Sequence, residues 1–305
     1  MESRPRLSKY LDPHLLASLA NLEIKARGVV EGFVEGLHKS PFKGFNVEFA
    51  EYRQYVPGDS IRDIDWKVYA RTDKYYIKEH EEETNLSGFI IMDTSGSMRY
   101  KGDGPLSKMD YASTLAASLA YLMLRQHDSV GLVTFAKGVR KLIRPRTGMA
   151  HLKAICTELE ETVPSEQTDI GATLDEVAQS MKKRGLLIIF SDLLDNAATI
   201  LTKARLLRSR RHEVLIFHVL DRNELTFPFE DLTRFRDLED NSEVVTDAFS
   251  LRREYLHRIQ AMINTFQSSL RRGGIDYLLT DTSRPLEASL KSFFTRRSAM
   301  NGRLA

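Results

Sequence analysis

The stretch Gly88-Phe89-Ile90-Ile91-Met92-Asp93-Thr94-Ser95-Gly96-Ser97-Met98 decides the fold. A short apolar run stops at a carboxylate and passes into hydroxyls and glycine. Such an unbroken run is the pattern of a strand buried on both faces, as in a parallel sheet covered by helices. Working outward, Val130–Ala136, Leu186–Phe190, Val214–Leu220 and Ile275–Leu279 have the same character. Between them lie stretches of helical period: Lys108–Gln126, Met149–Glu161, Ile170–Lys183, Asn196–Ser209 and Asp247–Arg272, with a last helix over Pro285–Arg297. Val139–Ile143 reads as an antiparallel edge strand. Phe235–Thr246 reads as a polar hairpin turning at Asp240-Asn241-Ser242. Strands alternating with helices predict a Rossmann-like α/β sandwich, a mostly parallel sheet between helix layers.

Ahead of this region the character differs. Asp12 and Pro13 open a helical spacing through Leu15, Leu16, Leu19 and Leu22, and a weaker segment over Val29–Leu37 is interrupted by Gly32 and Gly36. Residues 38–83 carry short strand-like pieces, such as Glu48–Tyr55 and Tyr75–Glu82, punctuated by Gly, Pro and Asp. The expected organisation is a tail over 1–12, a helical and short-stranded extension over 13–85, and the α/β domain over 86–300.

Composition bounds the function. With 44 basic and 42 acidic residues, the net charge of +2 is too small for a general nucleic-acid or membrane-surface protein. The arginine clusters at 208–211, 252–253, 271–272 and 296–297 sit at helix ends or on helix faces, where cations complement the dipole, and read as solvated surface. The single cysteine, Cys156, excludes a disulfide framework and suits a reducing compartment. No stretch reaches the roughly 18 apolar residues of a membrane span, and the N-terminus lacks a signal-peptide apolar region. The expectation is a cytoplasmic protein without a membrane span. The histidines have no zinc spacing, and neither a P-loop nor a Gly-x-Ser-x-Gly elbow occurs.

In open α/β sheets, ligands bind beyond the carboxyl ends of the strands. The loop after the first buried strand places one carboxylate, Asp93, and two hydroxyls, Ser95 and Ser97, at alternating positions around Gly96. A hard divalent cation takes about six oxygens, for Mg²⁺ at about 2.1 Å, and these groups supply oxygens without excess charge. Thr168, at the opening of a helix, and Asp192, directly after Leu186–Phe190 and Ser191, are further donors at strand or loop ends. The plain alternatives are a polar turn that caps the next helix for 93–97, an N-cap for Thr168 and a solvated loop residue for Asp192.

The Asp-x-Ser-x-Ser loop with distal Thr168 and Asp192 resembles the metal-ion-dependent adhesion site of von Willebrand factor A domains. A second resemblance lies in Tyr52-Arg53-Gln54-Tyr55-Val56-Pro57-Gly58-Asp59, Ser60-Ile61-Arg62-Asp63-Ile64-Asp65-Trp66 and Ala70-Arg71-Thr72, with His38, Ser40, Gly44 and Glu48-Phe49. This run is similar to the signature of the bacterial family called domain of unknown function 58. Together the resemblances imply a von Willebrand A-like sandwich with a divalent ion, Mg²⁺ (or Mn²⁺ or Ca²⁺), held by Asp93, Ser95, Ser97, Thr168 and Asp192. An acidic residue of a protein partner would fill the open position. They further imply a non-enzymatic interaction module that works with a MoxR-type AAA+ ATPase in protein-complex assembly or maturation. Two other readings stand beside it: a Mg²⁺-dependent phosphoryl-transfer hydrolase, and a structural partner with an empty site. The Asp59–Trp66 charges read as an internal ion-pair and hydrogen-bond network, with a docking surface or second site as the alternative, and Trp66 and Cys156 read as core residues.

Overall fold

Helix and strand assignments follow from burial on both faces of one sheet. The computed structural model describes residues 21–38, 52–55, 66, 69, 75–78, 87–165, 167–181 and 184–301. The chain divides into two compact units, residues 1–39 with 86–305, and residues 40–85.

The larger unit holds a six-stranded sheet. Its strands are β3 (Ser87–Asp93), β4 (Ser129–Phe135), β5 (Val139–Arg146), β6 (Leu186–Ser191), β7 (Glu213–Leu220) and β10 (Asp276–Asp281), in spatial order β10-β7-β6-β3-β4-β5. All neighbours are parallel except β5, which runs antiparallel to β4 along one edge. Every residue of β6 and all but the first of β3, β4 and β7 are buried, as continuous apolar runs require.

One face of the sheet is covered by α1 (Leu22–His38), α2 (Lys108–Arg125), α3 (Ala150–Glu161) and α8 (Leu286–Asn301), which share one apolar cluster with Ile90, Ile188 and Phe217. The other face is covered by α4 (Ile170–Ser180), α5 (Ala197–Ser209) and α7 (Ala248–Arg272), clustered on Ile91, Val133 and Ile216. The result is the expected three-layer α/β sandwich. Polar caps set where the helices begin. Ser107 and Asp110 form a reciprocal capping box that starts α2 at Lys108, Asp169 caps α4, and Asn196 caps α5. The short α6 (Arg222–Thr226) starts with a box of Asp221 and Glu224. Gly274, at φ +67°, takes the left-handed conformation after α7 that glycine adopts freely.

A two-stranded ribbon, β8 (Leu232–Arg236) with β9 (Glu243–Asp247), interrupts the alternation where the polar sequence predicts a hairpin. Its apolar side packs through Phe235, stacked on Phe227 and edge-on to Phe229.

The weak segment around Gly32 and Gly36 is a continuous helix. α1 runs from Leu22 through both glycines, because its buried stripe of Leu22, Ala26, Val29 and Val30 packs on the main cluster. That packing outweighs roughly 1 kcal/mol of helix propensity lost at each glycine.

In the smaller unit, β1 (Tyr52–Gln54) pairs antiparallel with β2 (Tyr76–Lys78), and Tyr69 stacks on Tyr75 at 4.5 Å between ring centroids. Trp66 departs from its expected core position. It is 56% exposed and meets Tyr69 edge-on. The Asp59–Asp65 charges and the Asp12–Pro13 helix start lie outside the described residues.

Candidate metal centre

The chain builds the sheet outward from β3 in both directions, first through β4 and β5, then through β6 and β7. The C-terminal ends of β3 and β6 therefore flank the point where the winding reverses, the place where open α/β sheets bind their ligands. Asp93 is the last residue of β3, and Asp192 follows the last residue of β6. Both are completely buried.

Three segments meet at this point. Asp93 Oδ1 accepts the backbone N–H of Ser95 at 2.9 Å, which curls the loop back over its own carboxylate. Its Oδ2 accepts the Ser191 hydroxyl at 2.6 Å, and the Thr168 hydroxyl lies 3.5 Å from the same oxygen. The Ser95 and Ser97 hydroxyls are 3.0 Å apart. The Ser97 hydroxyl also lies beside Asp192 and favours its charged form. All five residues singled out in the sequence are thus brought together.

Backbone contacts hold these segments in place. Thr94 donates its N–H and its hydroxyl to the Phe135 carbonyl at the end of β4. The 162–169 connection is tied to the same strand ends by Ser165 N–H to Thr94 O at 2.9 Å and Asp169 N–H to Ala136 O at 2.8 Å. Arg140, from the edge strand β5, reaches across to the Val163 and Ser165 carbonyls. Asp169 caps α4 through its carboxylate, which leaves the Thr168 hydroxyl to the cluster. Beyond Asp192, Leu193 sits at φ 55°, a conformation costly for a branched residue and sustained here by full burial of its side chain and by its N–H to Ser191 Oγ.

The charges are unevenly balanced. Lys108, at the first position of α2, is buried, and its Nζ donates to Asp192 Oδ2 and Glu224 Oε1, each at 2.7 Å. Burial alone disfavours the ammonium, but the two carboxylates outweigh it and hold Lys108 above its ordinary pKa. Burial likewise opposes the Asp192 charge, and Lys108 overcomes it, keeping that carboxyl low. Asp93 has no such relief. Burial and the neighbouring Asp192 charge push its pKa up to about 7, only partly offset by hydrogen bonds from Ser191 and Ser95. His218, on β7, supports Asp192 from behind. Its Nε2–H donates to the Asp192 carbonyl at 2.8 Å, and its Nδ1 accepts the Tyr277 hydroxyl at 2.6 Å. Burial drops its pKa to about 4, so the ring is neutral.

The donor set suits a small hard cation. It offers two carboxylates and three hydroxyls, and it leaves Asp93 in need of positive charge. Hydroxyls outnumber carboxylates in this donor set, and among the described residues no three His, Cys, Asp or Glu side chains stand as a ready-made cage.

The sequence family described as protein of unknown function DUF58 matches this chain over residues 51–265. The chain belongs to that family. Among curated relatives, an uncharacterized protein of Mycobacterium tuberculosis is 29% identical over 223 residues, covering 71% of this chain and 68% of its own length. An uncharacterized protein of Mycobacterium bovis matches to the same extent. Among solved structures, an aerotolerance-related membrane protein from Bacteroides fragilis is 20% identical over 68% of this chain and 97% of its own, at a TM-score of 0.48. The conserved hypothetical protein BatB from Bacteroides thetaiotaomicron is 18% identical over 71% of this chain and 99% of its own, at a TM-score of 0.47.

Four residues around this cluster escape sequence reasoning. Lys108 looks like the ordinary first residue of a helix, and Glu224 like the acid of a capping box. Glu224 serves both roles, accepting the Asp221 N–H with one oxygen and Lys108 with the other. His218 is a lone polar residue within an apolar strand, a detectable signal. Glu239, in the β8–β9 turn, carries no local signal and reaches the site only through tertiary folding. Among the described residues, no helix is long and apolar enough to cross a membrane.

Proposed function

We propose that this chain is a non-enzymatic, divalent-metal-dependent protein-interaction module. Mg²⁺ would be held by Asp93, Ser95, Ser97, Thr168 and Asp192, as in the metal-ion-dependent adhesion site of von Willebrand A domains. The observation that carries the reading is the convergence of these five residues at the winding reversal of a parallel sheet, with hydroxyls in the majority. A bound cation supplies a single positive point that an acidic side chain of a partner can meet. The protein's part is to hold the oxygens in fixed directions and to exclude water behind them. The family resemblance supports a MoxR-type AAA+ ATPase as the partner, with a role in complex assembly or maturation in the cytoplasm.

The rival hydrolase reading needs a cationic clamp on phosphate. Lys108 is the cation at hand, but its ammonium is engaged by two carboxylates and its side chain is 1% exposed. That arrangement favours binding over phosphoryl transfer.

The test is capture of partners by the tagged chain with Mg²⁺ or with EDTA, for wild type and Asp93→Ala. Recovery of an AAA+ ATPase by wild type with Mg²⁺ alone is the expected result. Identical capture in all conditions by folded protein contradicts the proposal.

A further inference from the structure

We propose that Glu239, at the tip of the β8–β9 hairpin, is a further protein ligand of this metal site, occupying in cis the position an acidic partner would take. The inference rests on the metal-binding reading above and extends it to the control of access.

The hairpin tip is shaped by its own side chains. Asp237 Oδ1 accepts the N–H groups of Glu239 and Asp240 at 2.6 and 3.3 Å, and the Asp237 N–H donates to the Ser242 carbonyl at 2.8 Å. Asp240 Oδ1 accepts the Ser242 N–H at 2.8 Å, and Arg236 holds the Asn241 side chain at 2.8 Å. Glu239 is therefore presented on a closed turn.

That turn is seated on the metal-site loop. The Leu238 carbonyl oxygen lies 2.2 Å from where a Cβ on residue 96 would be, an approach only glycine permits. Arg99 Nη2 donates to the same carbonyl at 3.1 Å and fastens the tip from the other side. The next residue, Glu239, has its carboxylate beside the hydroxyl and backbone N–H of Ser97, within the influence of the Asp192 charge. Its Oε1 is buried and has no hydrogen-bond partner.

A buried carboxylate oxygen without a donor, set next to a second carboxylate, is unfavourable unless a cation joins them. The neighbouring cation, Lys108, is already shared by Asp192 and Glu224. A metal held by Asp93, Ser95, Ser97, Thr168 and Asp192 resolves the conflict, because it joins Glu239 to Asp192 and Glu239 then completes its oxygen shell. An outside carboxylate reaches the ion only when the hairpin tip lifts.

The experiment is calorimetric titration of the full chain with Mg²⁺, together with amide hydrogen exchange at residues 237–242. Wild type, Glu239→Gln, Asp93→Asn and, as a charge control on the same hairpin, Glu243→Gln are compared. Glu239→Gln is expected to weaken Mg²⁺ binding on the order of tenfold or more. Mg²⁺ is expected to slow exchange at the tip in wild type and Glu243→Gln but not in Glu239→Gln. Wild-type affinity and unaltered tip exchange in Glu239→Gln, with binding lost in Asp93→Asn, overturn the in-cis ligand and leave the metal site standing. Absence of Mg²⁺ binding by wild type overturns both.

Discussion

Lys108 shows what a single residue can carry at this site. It is buried between Asp192 and Glu224, 84 and 116 residues away in sequence. Replacing it by Met leaves two carboxylates buried without a counter-charge. Lys108→Met is expected to lose about 3–5 kcal/mol of stability, measured by urea unfolding. A loss below about 1 kcal/mol would contradict the assigned pairing. His218 gives a pH signature. Its folded pKa of about 4 lies below the ordinary value of 6.5, so the unfolded chain takes up the proton first as pH falls. The contribution is intact above pH 6.5 and is lost progressively down to about pH 4, by about 3 kcal/mol in all. Asp93 acts with the opposite sign: its folded pKa is raised from 3.8 to about 7, which favours the folded state as pH falls through 7. Unfolding is therefore measured in Asp93→Asn, where stability should fall between pH 6.5 and 4. A flat profile there would contradict a buried neutral His218. At this scale the sequence is legible where donors lie within one loop or directly end a strand, as with Asp93, Ser95, Ser97 and Asp192. Lys108 and Glu239 were not legible, because their roles arise from distant segments meeting.

At the scale of elements, local signals place the framework well. Continuous apolar runs mark β3, β4, β6 and β7, and the antiparallel edge strand is found as expected, extending to Arg146. The turn at Asp240-Asn241-Ser242 also lies where the polar residues point, with Asn241 at φ 63°. α1 was less legible, since its glycines argue against a helix while tertiary packing argues for one. Trp66 was misjudged for a related reason: a large aromatic side chain finds the core in most settings, yet here it contacts Tyr69 at a surface. The hairpin yields a test independent of metal. Gly96→Ala places a Cβ against the Leu238 carbonyl. It is expected to cost about 1–3 kcal/mol and to speed amide exchange at residues 237–242. Unchanged exchange at those residues would contradict the seated tip.

At the scale of the whole molecule, the sheet order converts separate sequence segments into one site. β3 and β6 are neighbours although α2, β4, β5, α3 and α4 lie between them in sequence, so Asp93 and Asp192 meet at the winding reversal. The α/β class follows from alternation alone, whereas the strand order that joins these two carboxylates is a property of the assembled layers. The same layers bury both carboxylates, and a cation bound there stabilises the folded state only. If the site binds Mg²⁺, the ion at about a hundred times its dissociation constant would add about 2.7 kcal/mol to that stability. The most direct measurement is therefore thermal unfolding of wild type and Asp93→Ala in EDTA and in excess Mg²⁺. The wild-type midpoint is expected to rise with Mg²⁺, and that rise is expected to be abolished in Asp93→Ala. An unmoved wild-type midpoint, or an equal rise in both proteins, would contradict a metal centre at Asp93.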